Sequence, residues 1–121
     1  MEFIQSDEIA ALANHGVVSR QLLNPANSAS ERVTITEVHL EAGACQPRHT
    51  HENAEQIWYA TKGRGKLLLS DNAQKDFCAG DVARFCAGDV HGLLNDGDVE
   101  FVYISVTAPP LDFGYAYKER R

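Results

Sequence analysis

Hydrophobic and polar residues alternate in short runs along most of this chain, a pattern that predicts β-strands rather than helices. Six runs are rich in β-branched or aromatic residues and are bounded by glycine, asparagine, aspartate or proline. They cover residues 17–23, 32–40, 56–61, 65–70, 81–85 and 100–106. Because each strand has one face that a second sheet must cover, the pattern predicts an all-β antiparallel sandwich or barrel.

The first sixteen residues follow a different pattern. Ser6 can cap a helix, the two acidic residues after it suit the positive end of a helix, and Gly16 lies where the helix would stop. We therefore expect one short N-terminal helix ahead of the strands.

Composition and charge narrow the function classes. The chain has 121 residues, of which 44% are hydrophobic and 23% charged, as in a globular protein with one domain. Its formal charge of −6 argues against a nucleic-acid partner. No apolar run approaches the roughly 20 residues that span a bilayer, and acids stand where a signal peptide carries basic residues. We expect a cytoplasmic protein without a membrane partner, with its three cysteines as free thiols.

Two histidines, His49 and His51, lie two residues apart. In a strand, side chains alternate between faces with a period of two, so both imidazoles would point to one side. This is one of the few ways in which neighbouring histidines can share a metal at bond lengths of about 2 Å.

The residues around this pair carry a family resemblance. Gly43, His49, His51, Gln56 and Gly63 follow one another at the spacing of the first motif of the cupin superfamily, and the segment resembles that motif.

A second segment resembles the second cupin motif. Gly80, Gly88, His91 and Asn95 stand at the expected steps, and Cys86 replaces the usual proline. In this fold the asparagine more often anchors a turn than it contacts a substrate.

The resemblance implies one cupin domain over residues 1–121, an antiparallel jelly-roll barrel whose interior holds a ligand or a metal. The barrel core would span about residues 30–107. The tail, 108–121, is aromatic and would pack back on the barrel or on a second subunit. Cupins commonly pair, so the resemblance also implies a homodimer.

The resemblance further implies a mononuclear divalent metal site with three histidine ligands: His49, His51 and His91. The fourth ligand is Gln56 or Glu55, since only one of these neighbours can face inward. The family glycine follows its ligand by seven positions, and counting back from Gly63 favours Gln56.

Glutamine at this position is a departure from the usual cupin glutamate. It also occurs in some similar cupins, including one that acts on unsaturated uronic acids in pectin breakdown. A neutral amide leaves the full charge of the ion on the site, which would make it a stronger Lewis acid. Three imidazoles and one oxygen suit Fe, Ni, Mn, Co or Zn.

The pattern thus favours a metal-dependent enzyme that acts on a small polar or acidic molecule. The chemistry would be that of a sugar-acid lyase or isomerase, or Fe(II)-dependent dioxygenation. Trp58 and Tyr103 are candidate substrate-pocket residues, and Tyr103 and Glu55 are candidate acid–base groups. The alternative is a non-enzymatic binding or sensor protein that uses the interior as a pocket, with or without a metal.

Overall fold

A computed structural model describes residues 1–121 as eleven β-strands with three single 3₁₀ turns. The turns cover Ser6–Glu8, Ser70–Asn72 and Phe113–Ala116. The strands are β1 (Ala11–Asn14), β2 (Val17–Leu23), β3 (Thr34–Leu40), β4 (Cys45–His49), β5 (Glu55–Lys62), β6 (Arg64–Leu68), β7 (Gln74–Cys78), β8 (Val82–Phe85), β9 (His91–Leu94), β10 (Phe101–Ala108) and β11 (Glu119–Arg120). None of the helical segments has the length and hydropathy needed to cross a bilayer.

The strands form two antiparallel sheets that pack face to face. The larger sheet has the order β11-β1-β2-β3-β10-β5-β8, and the smaller has the order β4-β9-β6-β7. Eleven buried residues from both sheets form the core between them: Val17, Val38, Leu40, Trp58, Ala60, Leu67, Phe77, Phe85, Leu93, Phe101 and Tyr103. The predicted all-β antiparallel architecture is confirmed.

The expectation of a closed barrel is wrong, because no hydrogen-bonded strand pair joins the two sheets. The turn after β5 shows why. Gly63 adopts a φ of +83°, and a Cβ atom there would lie 2.7 Å from the carbonyl oxygen of Glu100. This tight turn moves the chain from the larger sheet to the smaller one, so β5 and β6 lie in different sheets instead of pairing.

The predicted N-terminal helix is also wrong. Ser6 lies in a single 3₁₀ turn that has no side-chain cap. The segment after it forms β1, which pairs with β2 and buries Leu12 and Ala13. Gly16, with a φ of +73°, forms the turn between these strands instead of ending a helix. Burial in the sheet outweighs the local helix preference of a short segment.

Side chains along β5 alternate between the two faces of the sheet. Gln56, Trp58 and Ala60 are buried on the inner face, whereas Ile57 and Tyr59 are exposed on the outer face. The inner face of this strand therefore presents one amide and one indole to the space between the sheets.

The C-terminal tail packs back on its own domain. Asn14 holds it in two places: its Nδ2 donates to the carbonyl oxygen of Ala116 at 3.0 Å, and its Oδ1 accepts from the backbone N–H of Lys118 at 2.9 Å. Strand β11 then pairs with β1 at the edge of the larger sheet. The tail thus covers one end of the space between the sheets.

Asn95 ties the turn after β9 to the larger sheet. Its side chain is fully buried, and its Nδ2 donates to the carbonyl oxygens of Leu40 at 3.1 Å and Val99 at 2.9 Å. Its Oδ1 accepts from the backbone N–H of Gly97 at 3.1 Å. The turn-anchoring role expected for this residue is the one that the structure shows.

Replacing Asn95 with alanine should lower the free energy of unfolding by about 3 kcal/mol, because buried backbone groups lose their partners. Urea denaturation measures the change. The matched control is Asp96→Ala in the same turn, where the side chain is exposed and the expected change is below about 0.5 kcal/mol. Equal stability of the two variants would contradict the anchoring role.

Candidate metal centre

Strand pairing brings the three predicted histidines together. His49 is the last residue of β4 and is the register partner of His91, the first residue of β9. His51 lies two residues beyond His49, just after the strand ends. The candidate ligand atoms of all three side chains lie within 4.8 Å of one another. A cluster of this size can converge on a single metal ion.

Two ring nitrogens of the cluster lack any partner within the protein. Nε2 of His51 and Nε2 of His91 are buried and make no hydrogen bond. A buried polar atom without a partner costs about 1–3 kcal/mol, and such atoms are rare in folded proteins. A metal ion bound between the rings would satisfy both nitrogens, so the residues present fit a metal.

Backbone carbonyl groups fix the orientation of two of the rings. Nδ1 of His49 lies 2.8 Å from the carbonyl oxygen of Pro47, and Nδ1 of His91 lies 2.9 Å from that of Asp89. A carbonyl oxygen only accepts, so each Nδ1 must carry the proton. In an imidazole whose one proton is on Nδ1, Nε2 presents its lone pair, which is the usual arrangement for a metal-binding ring.

The protonation state of the cluster also suits a metal. Burial, together with the nearby charge of His49, lowers the pKa of His91 to about 4. Burial and the same neighbour lower the pKa of His51 below its ordinary value. Both rings are therefore neutral at pH 7, the form that binds metal ions.

Gln56 faces the same cavity as His49 and His51 and is 4% exposed. Its Nε2 donates to Oγ1 of Thr107 at 2.9 Å, and its Oε1 accepts from Nε1 of Trp58 at 3.1 Å. These bonds fix the amide and leave the oxygen one free lone pair.

Glu55, the alternative to Gln56, lies on the outer face of β5. Its carboxylate accepts a hydrogen bond from Nε of Arg84 at 2.7 Å, and the side chains of both residues are well exposed. The structure therefore does not bring Glu55 to the cavity.

The cavity beside the histidines has a volume of about 360 Å³. Residues of both sheets and of the C-terminal tail line it: Asn14, Val17, Thr36, Val38, Cys45, Gln46, Pro47, Arg48, His49, Thr50, His51, Gln56, Trp58, Tyr103, Ser105, Phe113, Tyr115, Ala116 and Tyr117. No aspartate or glutamate belongs to this lining, so an anionic ligand would meet no carboxylate in the cavity.

Trp58 and Tyr103, the predicted pocket residues, both line the cavity and also pack in the core. Their ring centroids are 4.4 Å apart, and the indole lies 5.4 Å from the ring of His91. The Tyr103 hydroxyl donates to Oε1 of Gln46 at 2.6 Å. Burial raises the pKa of Tyr103 well above its ordinary value, so its hydroxyl stays protonated.

The C-terminal tail supplies site residues that the sequence patterns did not single out. The ring of Phe113 lies 5.9 Å from that of His51. Tyr117 reaches the same amide as Tyr103, with its hydroxyl oxygen 3.5 Å from Nε2 of Gln46. The aromatic content of the tail was the only signal for this placement, because its contacts are with residues far away along the chain.

Comparisons with known proteins agree with this architecture. A sequence model described as the cupin domain matches residues 36–107. An uncharacterized protein of Methanocaldococcus jannaschii is 26% identical over 99 residues, which cover 82% of this chain and 78% of that protein.

Two solved structures show the same fold at low identity. KdgF from Halomonas sp. superposes with a TM-score of 0.77 at 19% identity, over 93% of this chain and 96% of that one. A sugar phosphate isomerase of the cupin superfamily from Silicibacter pomeroyi gives 0.75 at 22% identity, over 88% and 74%. Since the cupin match spans more than half of the 121 residues and contains both histidine motifs, the chain belongs to the cupin family.

Proposed function

We propose that this cupin is a metal-dependent enzyme that acts on a small polar or acidic molecule. One divalent ion would be held by His49, His51, His91 and Gln56. The observation that carries the proposal is the pair of buried, unpartnered Nε2 atoms in a cluster of three histidines. When bound, the metal would supply Lewis acidity toward a carboxylate, enolate or carbonyl oxygen.

The neutral character of the whole donor set supports Lewis-acid chemistry of the lyase or isomerase type. Three imidazoles and one amide would leave the charge of a divalent ion uncompensated, and no carboxylate lines the cavity. A carboxylate or hydroxyl group of the substrate would therefore find a positive site without a competing negative charge. This chemistry needs no redox metal, and Fe, Ni, Mn, Co and Zn all suit the ligands.

Proton transfer must come from groups that the cavity contains. Tyr103 keeps its proton at neutral pH and lies in the cavity, so it is a candidate general acid rather than a base. In the free protein the Tyr103 hydroxyl donates a hydrogen bond to Oε1 of Gln46, and the hydroxyl of Tyr117 approaches the same amide from the tail. Glu55, on the outer face, takes no part in this proposal.

A non-enzymatic binding or sensor protein is the second candidate function. The observation that favours it is the lack of a carboxylate in the cavity, because such a group is a common general base.

Dioxygenation is the alternative enzymatic reaction, and it would require iron and open metal positions for oxygen and substrate.

A lyase or isomerase can be distinguished from a dioxygenase by which metal supports turnover and by whether oxygen is needed. The protein would be loaded with Mn(II), Zn(II) or Fe(II) and incubated without oxygen with D-galacturonate, its 4,5-unsaturated derivative and sugar phosphates. We expect product peaks in the proton NMR spectrum with the Mn(II) or Zn(II) form, and none with His91→Ala.

Each other outcome selects a different function. Turnover that is absent without oxygen, appears in the Fe(II) form once oxygen is supplied, and consumes oxygen in proportion to product would identify a dioxygenase. Saturable binding of a sugar acid without turnover in any form would favour the binding or sensor protein.

Gln56→Glu should strengthen metal binding at least about tenfold, since a unit charge at a bonding distance of about 2 Å contributes on the order of 2 kcal/mol or more even at the dielectric constant of water. The carboxylate can still accept from Trp58 and from the Thr107 hydroxyl, so we expect no loss of folding. Competition with a metal-binding dye measures the affinity.

The control for Gln56→Glu is Gln46→Glu, which adds the same charge elsewhere in the cavity. A ligand role for Gln56 predicts a clearly larger gain for the substitution at position 56. Equal affinities of wild type and Gln56→Glu would show that Gln56 is not a ligand.

A further inference from the structure

Ser105 is a buried residue of β10 whose side-chain hydroxyl makes no hydrogen bond. It lies on the inner face of β10, between Thr36 of β3 and Trp58 of β5 in register. It is 4% exposed, lines the cavity, and its Oγ has no hydrogen-bond partner. Two steps along the same face, Thr107 accepts a bond from Gln56.

A comparable hydroxyl in the same sheet shows that unpaired groups are not the rule there. Thr34 lies on β3, and its Oγ1 donates to the carbonyl oxygen of Leu111 at 3.1 Å and accepts from its N–H at 2.9 Å. An unpaired buried hydroxyl destabilises the fold, and an alanine at position 105 would avoid that cost. The hydroxyl can gain its missing partner from a molecule in the cavity.

The wall around Ser105 presents neutral hydroxyl groups that both donate and accept. Arg48 also lines the cavity, and two of its donors are bound by the carbonyl oxygens of Leu69 at 2.7 Å and Ala73 at 3.2 Å. Thr36, 4% exposed, is the neighbour of Ser105 across the strand pair and lines the same cavity. Because a hydroxyl group can donate and accept at once, Ser105 and Thr36 match the hydroxyl groups of a ligand in both roles.

We propose that Ser105, with Thr36 beside it, forms a subsite that binds a hydroxyl group of the substrate. The inference rests on the proposed function, because it assumes that a carboxylate or carbonyl end of the same molecule binds at the histidine cluster. The substrate class is then a small polyhydroxylated acid, such as a uronic or aldonic acid, and not a dicarboxylic acid without hydroxyl groups. The cavity of about 360 Å³ lies at the small end of ligand-site volumes.

The test uses isothermal titration of the metal-loaded protein with two probes, D-galacturonate and glutarate. Ser105→Ala should weaken D-galacturonate binding about tenfold, the effect of one lost hydrogen bond, and leave glutarate binding unchanged. The same variant should keep or raise the melting temperature, since it removes an unpaired hydroxyl. Thr107→Val, which removes a paired hydroxyl from the same face, should lower it.

The possible failures are distinguishable. Equal D-galacturonate affinity of wild type and Ser105→Ala would overturn the subsite. A wild-type protein that binds glutarate as well as D-galacturonate, or binds neither, would overturn the substrate class. Metal content is measured in the same samples: if the metal is retained, only this inference falls, and if the wild type holds no metal, the proposed function falls with it.

Discussion

The antiparallel pairing of β4 with β9 is the interaction on which the site depends. It makes His49 and His91 register partners and places their rings 4.3 Å apart. Gly92 makes this approach possible, because a Cβ there would lie 2.7 Å from the carbonyl oxygen of Gln46. A slip of one residue would turn His91 to the outer face and separate the imidazoles.

Around this pairing, the inner faces of the sheets combine two conflicting requirements. The apolar residues between the sheets stabilise the fold, whereas the unpaired nitrogens of His51 and His91 and the unpaired hydroxyl of Ser105 destabilise it. His51 and Ser105 line one cavity, and His91 lies beside it. Phe113 of the C-terminal tail lines the same cavity. Because these groups are unpaired in the protein, they are available to bind a metal ion and a polar ligand.

The sequence predicted the features that short-range periodicity and motif spacing determine. The spacing to Gly63 correctly placed Gln56 on the inner face. The spacing of the second motif correctly grouped His91 with His49 and His51, although His51 lies 40 residues earlier in the chain. The prediction from sequence failed at β1, where cap-like residues favoured a helix, and at β7, an edge strand with mostly exposed polar residues. In both cases hydrogen bonding to the neighbouring strand along the chain, β2 for β1 and β6 for β7, outweighs the local residue pattern. The homodimer and the cytoplasmic location stay predictions.

Elemental mass spectrometry of protein purified without an affinity tag decides whether the histidine cluster holds one divalent metal ion. We expect close to one ion per chain in the wild type and in His15→Ala, whose side chain is exposed and outside the cavity. In His51→Ala and His91→Ala we expect near-complete loss of the metal, with the fold retained by circular dichroism. Stoichiometric metal in either of these two variants, or a wild type that takes up no metal on titration, would rule out a metal site at these histidines.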